Sequence, residues 1–179
     1  MTDIILKAPT SQKHWWQLYK LYLRAFPRSE RKPFRMIRKM YRRGVTDIWC
    51  VERDGRFSGF AITINSPKLI LLDYLAVCPE CRGSGVGTAT LTKLQQLYPE
   101  QGLFLEIEST LTDAPDLEMR LRRKQFYHRC GLQDLGTRAV LFGVEMELLG
   151  VRCQVDYEGY KNFYRKFYNS WAADHITPV

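Results

Sequence analysis

The sequence predicts an α/β protein with a mixed central sheet of about six to seven strands, flanked by helices. Three observations predict it. Apolar runs of strand length alternate with stretches of helical periodicity. An Asp-Gly pair at Asp54 and Gly55 joins two neighbouring strand-like runs, a strong hairpin signal. A glycine-rich turn, "CRGSGVGTA" from Cys81 to Ala89, stands between an apolar run and a helical one. The 179 residues suit one domain, 1–179, with enough interior for a core.

Taken in order, "DIILKA" reads as the first strand. From Gln12 to Phe26, apolar residues fall at Trp15, Leu18, Tyr19, Tyr22, Leu23 and Phe26, which is helical spacing. "FPRSERKP" breaks that helix, and Pro33 opens a second one that ends near Gly44, since proline suits a first helical turn. "DIWCVER" and "RFSGFAITI" form the hairpin, and "KLILLDYLAV" is a fourth strand. After the glycine turn, Leu91, Leu94, Leu97 and Tyr98 share one helical face. "GLFLEIES" is a fifth strand, followed by a helix from about Leu117 to Cys130 that stops at Gly131. "GTRAVLFGVEMELLG" reads as a strand pair. Tyr160, Phe163, Tyr164, Phe167, Tyr168 and Trp171 keep a helical period, as expected of one helix sealing the core.

Composition excludes some functions. No apolar run approaches the ~18 residues of a membrane span, and "MTDIILKAPT" lacks the pattern of a signal peptide. Five cysteines, an odd number, argue for free thiols in a reducing compartment, so a cytoplasmic protein is expected. "CPEC", Cys78 to Cys81, is half of a zinc knuckle, but Cys50, Cys130 and Cys153 stand alone. His14, His128 and His175 are scattered, and no metal site is expected. The net charge is +8, with much of the excess between Arg24 and Arg43. No nucleic-acid module accompanies that segment, so it reads as a solvated helical face and no nucleic-acid partner is expected. The overall field still favours an anionic ligand.

Gly83, Gly85 and Gly87 occupy every second position of the turn. A P-loop would need a lysine after the glycines, and there is none. A dinucleotide fingerprint, GxGxxG, meets Thr88 or Thr90 at its third glycine, although Glu106 lies at the right distance for the ribose acid. Too few strand-helix units remain for a doubly wound sheet, which leaves a dinucleotide-binding protein as an alternative. Backbone N–H groups along Arg82, Gly83, Ser84, Gly85, Val86, Gly87 and Thr88 can form an anion nest at a positive helix end. A pyrophosphate fits there, and Arg82 can add a charge-assisted contact.

"LAVCPECRGSGVGTATL" resembles the acetyl-CoA signature of the GNAT superfamily of acyltransferases. Val77 and Pro79 match its V-x-P strand end. Arg82, Gly85 and Gly87 match its R/Q-x-x-G-x-G/A turn, with Gly83 as a common extra glycine. "KQFYHRCGL" is similar to the family's FYxxxGF segment at Phe126, Tyr127, Gly131 and Leu132. Together the matches cover about 69–132, the cofactor core. The chain departs from the family in "STLTDAPDLEMRLRR", which lacks the asparagine that many members use on the cofactor.

The resemblance implies parallel fourth and fifth strands that splay apart, with acetyl-CoA as cosubstrate and its pantetheine arm on the backbone of Leu75, Ala76 and Val77. It implies an N–H near Leu75 as oxyanion donor and direct acetyl transfer to an amine. Tyr127 is then the candidate acid for the leaving thiolate, with Arg123 and Lys124 one turn earlier placed to lower its pKa or meet phosphates. Asp73, an acid in an apolar strand, is the first candidate base, and Glu106, sharing a strand face with Glu108, is the second. A small-molecule or peptide amine is the expected partner of a monomer or homodimer. The N-terminal helices and the aromatic C-terminus are expected to shape its pocket. A CoA-binding module without catalysis is the other alternative.

Overall fold

The computed structural model describes residues 3–28 and 30–179. The chain runs β1 (Ile5–Lys7), α1 (Gln12–Ala25), α2 (Phe34–Arg42), β2 (Thr46–Arg53), β3 (Arg56–Asn65) and β4 (Leu69–Val77). A short 3-10 turn (Pro79–Cys81) leads to α3 (Val86–Leu97), β5 (Gly102–Glu108), α4 (Leu117–Arg129), β6 (Gln133–Leu141) and β7 (Val144–Val151). The chain ends with α5 (Tyr157–Phe167), α6 (Ser170–Asp174) and β8 (Ile176–Thr177). Among the described residues the strands form one mixed sheet of eight, in the order β1-β2-β3-β4-β5-β7-β6-β8, with β4 and β5 parallel. By internal contacts the chain divides into two compact units, Met1–Pro67 with Leu71–Pro99, and Lys68–Ile70 with Glu100–Val179.

In the first unit, β2 and β3 form the antiparallel hairpin that Asp54 and Gly55 signal. Both turn residues have positive φ, 52° and 70°, as a two-residue primed turn requires. Ser11 caps α1 by accepting a hydrogen bond from the His14 N–H at 3.1 Å. Leu18, Leu21 and Tyr22 of α1 and Ile37 of α2 bury against Ile48, Phe60, Ile62 and Tyr74. Each such side chain contributes roughly 1.5–3 kcal/mol by leaving water. A second cluster joins Ile4 and Val51 to Val86 and Ala89 of α3.

The connection between α1 and α2 is pinned to β4. The Tyr22 hydroxyl donates to the Lys32 carbonyl at 3.0 Å, and the Tyr74 hydroxyl donates to the Glu30 carbonyl at 2.9 Å. The Lys32 N–H donates to the Tyr74 hydroxyl at 3.1 Å. Burial pushes the Tyr22 phenol up to about 12 and raises that of Tyr74 further, so both stay protonated donors. Ser29, in the same break, lies outside the described residues.

In the second unit, β7 pairs antiparallel with β5 and with β6. The C-terminal aromatics differ from the single helix expected. The backbone leaves the helix at Tyr168 (φ −105°, ψ −83°), and Asn169 starts α6 by accepting from the Ala172 N–H at 2.7 Å. Tyr160, Phe163 and Tyr164 are buried, with Phe163 edge-on to Phe104 at 5.2 Å. Trp171 instead is exposed. The sheet has one strand more than expected. β8 pairs two residues with β6, Val140 with Thr177 and Leu141 with Ile176, and so short a strand carries no periodic signal.

Candidate active site

The glycine turn is built as strand, tight turn and helix. β4 exposes its pleat unequally. Tyr74 and Ala76 are buried with α1 and α2, while Asp73, Leu75 and Val77 share the other, half-buried face. The chain then folds into the 3-10 turn at Pro79, with the Cys78 N–H donating to the Ser58 carbonyl at 2.8 Å and the Cys81 N–H to the Cys78 carbonyl at 2.8 Å. The Ser84 hydroxyl donates back to the Cys81 carbonyl at 2.6 Å and closes the turn. All ten candidate cofactor residues therefore lie on one continuous path from the end of β4 to the first turn of α3.

The three glycines serve different ends. Gly83 and Gly85 have left-handed φ of 73° and 82°, which side chains rarely adopt. Gly85 is the N-cap of α3, and no side chain caps that end. The first N–H groups of a helix have no partner one turn back, so they face outward with the positive end of the helix dipole. A Cβ at Gly83 would meet nothing within 4 Å, so packing does not explain that glycine, whereas its φ does. Gly87 lies within α3, where no unusual φ is needed and glycine costs roughly 1 kcal/mol against alanine. This helix start without a side-chain cap fits a pyrophosphate.

Asp73 is buried in the first unit, its side chain 5% exposed, and is paired with the Lys32 ammonium. Lys32 comes from the pinned connection between α1 and α2, a partner no sequence spacing reveals. Among the described residues, no group of three or more His, Cys, Asp or Glu could hold a metal ion. Cys78 and Cys81 are free thiols in the turn.

In the second unit, Tyr127 sits near the end of α4, half-buried, with Phe126 at 5.2 Å between ring centres. Burial raises its phenol pKa, and the Arg123 charge opposes the shift without overcoming it. Arg123 thus acts in the expected direction, and burial outweighs it. Lys124 is engaged elsewhere. It binds Asp134 at 2.8 Å and the buried Glu147 on β7. Glu147 also accepts the Thr110 hydroxyl at 2.8 Å and the Thr110 N–H. A cavity of about 180 Å³ adjoins this network, smaller than common ligand sites. Glu106 accepts a hydrogen bond from the Tyr164 hydroxyl at 2.7 Å, and Glu108 pairs with Arg120 at 3.3 Å. Sequence reasoning missed Glu147, although its acid in "VEMELLG" was visible, because the lysine that holds it is 23 residues away.

The profile of the acetyltransferase (GNAT) family matches residues 15–132. The chain belongs to the GNAT family of acetyltransferases. It is an acyltransferase by family, and its mixed sheet is the GNAT fold. Solved structures agree with this fold. A protein from Bacteroides thetaiotaomicron assigned to the GNAT family as an acetyltransferase is 21% identical, with a TM-score of 0.76, covering 94% of this chain and 98% of its own. An aminoglycoside 6'-N-acetyltransferase complexed with coenzyme A is 14% identical, with a TM-score of 0.65 and coverage of 83% and 96%. Spermidine N-acetyltransferase from Vibrio cholerae, in complex with CoA and spermine, is 12% identical, with a TM-score of 0.62 and coverage of 84% and 96%. Comparison with curated protein sequences gives no match. No helix among the described residues of this GNAT chain is long and apolar enough to cross a membrane.

Proposed function

We propose that residues 1–179 act as one N-acetyltransferase domain that moves the acetyl group of acetyl-CoA directly to an amine of a small molecule or peptide. The observation that carries this reading is the helix start at Gly85, without a side-chain cap and opened by two left-handed glycines. Backbone N–H groups between Gly83 and Thr88 hold the diphosphate, while Arg82, exposed on the turn with its own N–H donating to the Pro79 carbonyl at 3.2 Å, adds charge through its side chain. The main chain of Leu75, Ala76 and Val77 holds the pantetheine arm, and the N–H near Leu75 stabilises developing oxyanion charge. Bound acetyl-CoA supplies an activated acyl thioester.

Tyr127 holds a proton for the departing sulfur. Its raised pKa keeps the phenol protonated at neutral pH, which suits a donor. Asp73 and Glu106 remain the candidate proton acceptors for the incoming ammonium, Asp73 by exchanging its Lys32 partner for the acceptor's cation. Amines as acceptors are supported by the neighbours named for aminoglycosides and spermidine. The five free thiols support a reducing, cytoplasmic setting.

Two measurements test the reading. Calorimetry should show association with coenzyme A, and a folded protein giving no heat would refute it. A screen of amines against labelled acetyl-CoA should find an acceptor. With it, Tyr127→Phe should lower kcat about 10²-fold or more while leaving coenzyme A affinity in place. Unchanged turnover would remove Tyr127 from the acid role.

A further inference from the structure

A second cleft, of about 470 Å³, opens on the surface of the first unit between α1 and α2. Its α1 wall is aromatic, Trp15, Trp16 and Tyr19, joined by Phe34 at the start of α2. Its α2 wall is cationic, Arg35, Arg38 and Arg42. None of the candidate cofactor or catalytic residues lines it.

The charge in the cleft is unbalanced. Neither α1 nor α2 contains an Asp or Glu. Among the described residues none of the three arginines forms an ion pair. Their spacing, i, i+3 and i+7, puts them in one row along about 10 Å of helix. Arg38 is oriented by the Trp15 ring, with its guanidinium carbon 4.7 Å from the ring centre. Trp15 is itself held edge-on by Phe34 at 6.3 Å and Tyr41 at 5.6 Å.

The aromatic wall is exposed, with the Lys20 ammonium over the Trp16 ring at 4.9 Å from its centre, which adds a fourth cation beside the rings. Trp16 is 61% exposed and Tyr19 42% exposed. Tyr19 leans on Phe34 at 4.9 Å, which steadies it without covering it. Large exposed aromatics beside unpaired guanidinium groups match a ligand with a flat ring and a negative group. A polyamine acceptor would meet four like charges here and is disfavoured. Single-strand grooves combine the same two elements, rings on which bases stack and cations that follow phosphates. The volume falls in the ordinary range for one small ligand. The sequence showed a basic run with no nucleic-acid module, because Trp15, Trp16 and Tyr19 stand on α1 and reach the α2 arginines only in the fold.

We propose that the cleft between α1 and α2 binds a nucleotide unit, its base stacked on Trp16 and Tyr19 and its phosphate held by Arg35, Arg38 and Arg42. The unit is either a free nucleotide or one residue of a single strand. The test uses the full chain with saturating coenzyme A, so that the cofactor's own nucleotide cannot explain the signal. Thymidine 5′-monophosphate and a short oligothymidylate are titrated separately by calorimetry.

Saturable binding of at least one is expected. Binding of the mononucleotide assigns the cleft to free nucleotides, and binding of the oligomer alone assigns it to a strand. Three phosphate contacts give a strand a salt slope of about −2, or a roughly 20-fold loss of affinity between about 50 and 200 mM salt. Trp16→Ala should weaken binding about 5-fold or more. Arg38→Glu should weaken it further, with circular dichroism and coenzyme A binding unchanged, since both positions are exposed. The proposal is overturned if neither ligand binds, if both variants bind as the parent does, or if coenzyme A displaces the ligand.

Discussion

Gly59→Ala is the substitution whose effect the structure fixes most closely. Gly59 lies inside β3, opposite Val51 and beside the irregularity between Val51 and Glu52. Its φ is ordinary, so the reason for glycine is space. A Cβ there would stand 2.4 Å from the Ala76 carbonyl oxygen and 3.2 Å from the Val77 Cα. Both atoms are backbone, and neither can turn aside as a side chain would. Relief needs β4 to move by close to 1 Å at Ala76 and Val77, which are the residues proposed to hold the pantetheine arm. Overpacking of this kind costs about 1–3 kcal/mol. With a urea m-value of about 2 kcal/mol/M for a chain of this size, the midpoint should fall by roughly 1 M. A displacement near 1 Å at a positioning strand is also worth on the order of 10²-fold in rate. Urea unfolding followed by fluorescence, beside calorimetry with coenzyme A, reads both effects. A variant with the parent's midpoint and the parent's affinity would refute the claim that Gly59 exists to let β4 approach.

Two further outcomes follow from the same residues. Gly87→Ala replaces glycine within α3, so thermal stability should hold or rise, by up to about 1 kcal/mol, while coenzyme A affinity falls at least tenfold. Equal affinity would mean that nothing approaches Gly87 closely. Glu147→Gln breaks the pair with Lys124 and should cost about 3 kcal/mol at neutral pH. Burial pushes the Glu147 carboxyl up, but hydrogen bonds from Lys124 and Thr110 outweigh it and the net shift is downward. A depressed carboxylate contributes its stability above the unfolded value of about 4.3 and loses it as pH falls through the folded one. The gap between parent and variant should therefore be full at pH 6 and close in acid below about pH 4. Thermal melts across that range check it, and a gap that widens in acid would reverse the assignment.

The fold was legible where a single segment carried its own signal. The strand-length runs of β2 and β3, the Asp-Gly turn between them and the apolar stripe of α1 each need only a few neighbouring residues. The legible part ended where the deciding contact was remote or the element very short. β8 is two residues long and forms because α6 delivers Ile176 to Leu141. The break at Tyr168 is set by Asn169, whose capping side chain competes with a helical period that continues through Trp171. Periodicity reports which residues are apolar, not whether the backbone between them stays helical.

The site divides along the same line, between what one residue's conformation demands and what a partner supplies. Glycines at 83 and 85 are demanded by their left-handed φ, and Gly59 by a carbonyl on the next strand. Gly87 lies within α3 without a left-handed φ, so its conformation does not demand glycine. Sequence alone set Gly83 apart only as an extra glycine beside the motif positions Gly85 and Gly87, without showing which of them the backbone demands. The acids divide likewise. Asp73 and Glu147 both look like costly charges in apolar strands, and each is balanced by a lysine from a distant segment, Lys32 and Lys124. An interior carboxylate matched by a cation has its charge balanced within the fold, so its presence alone does not mark a base. What distinguishes Asp73 is that its lysine rides on the connection between two helices rather than within one. An arriving ammonium has only to displace one side chain, not unwind a helix, to take the lysine's place.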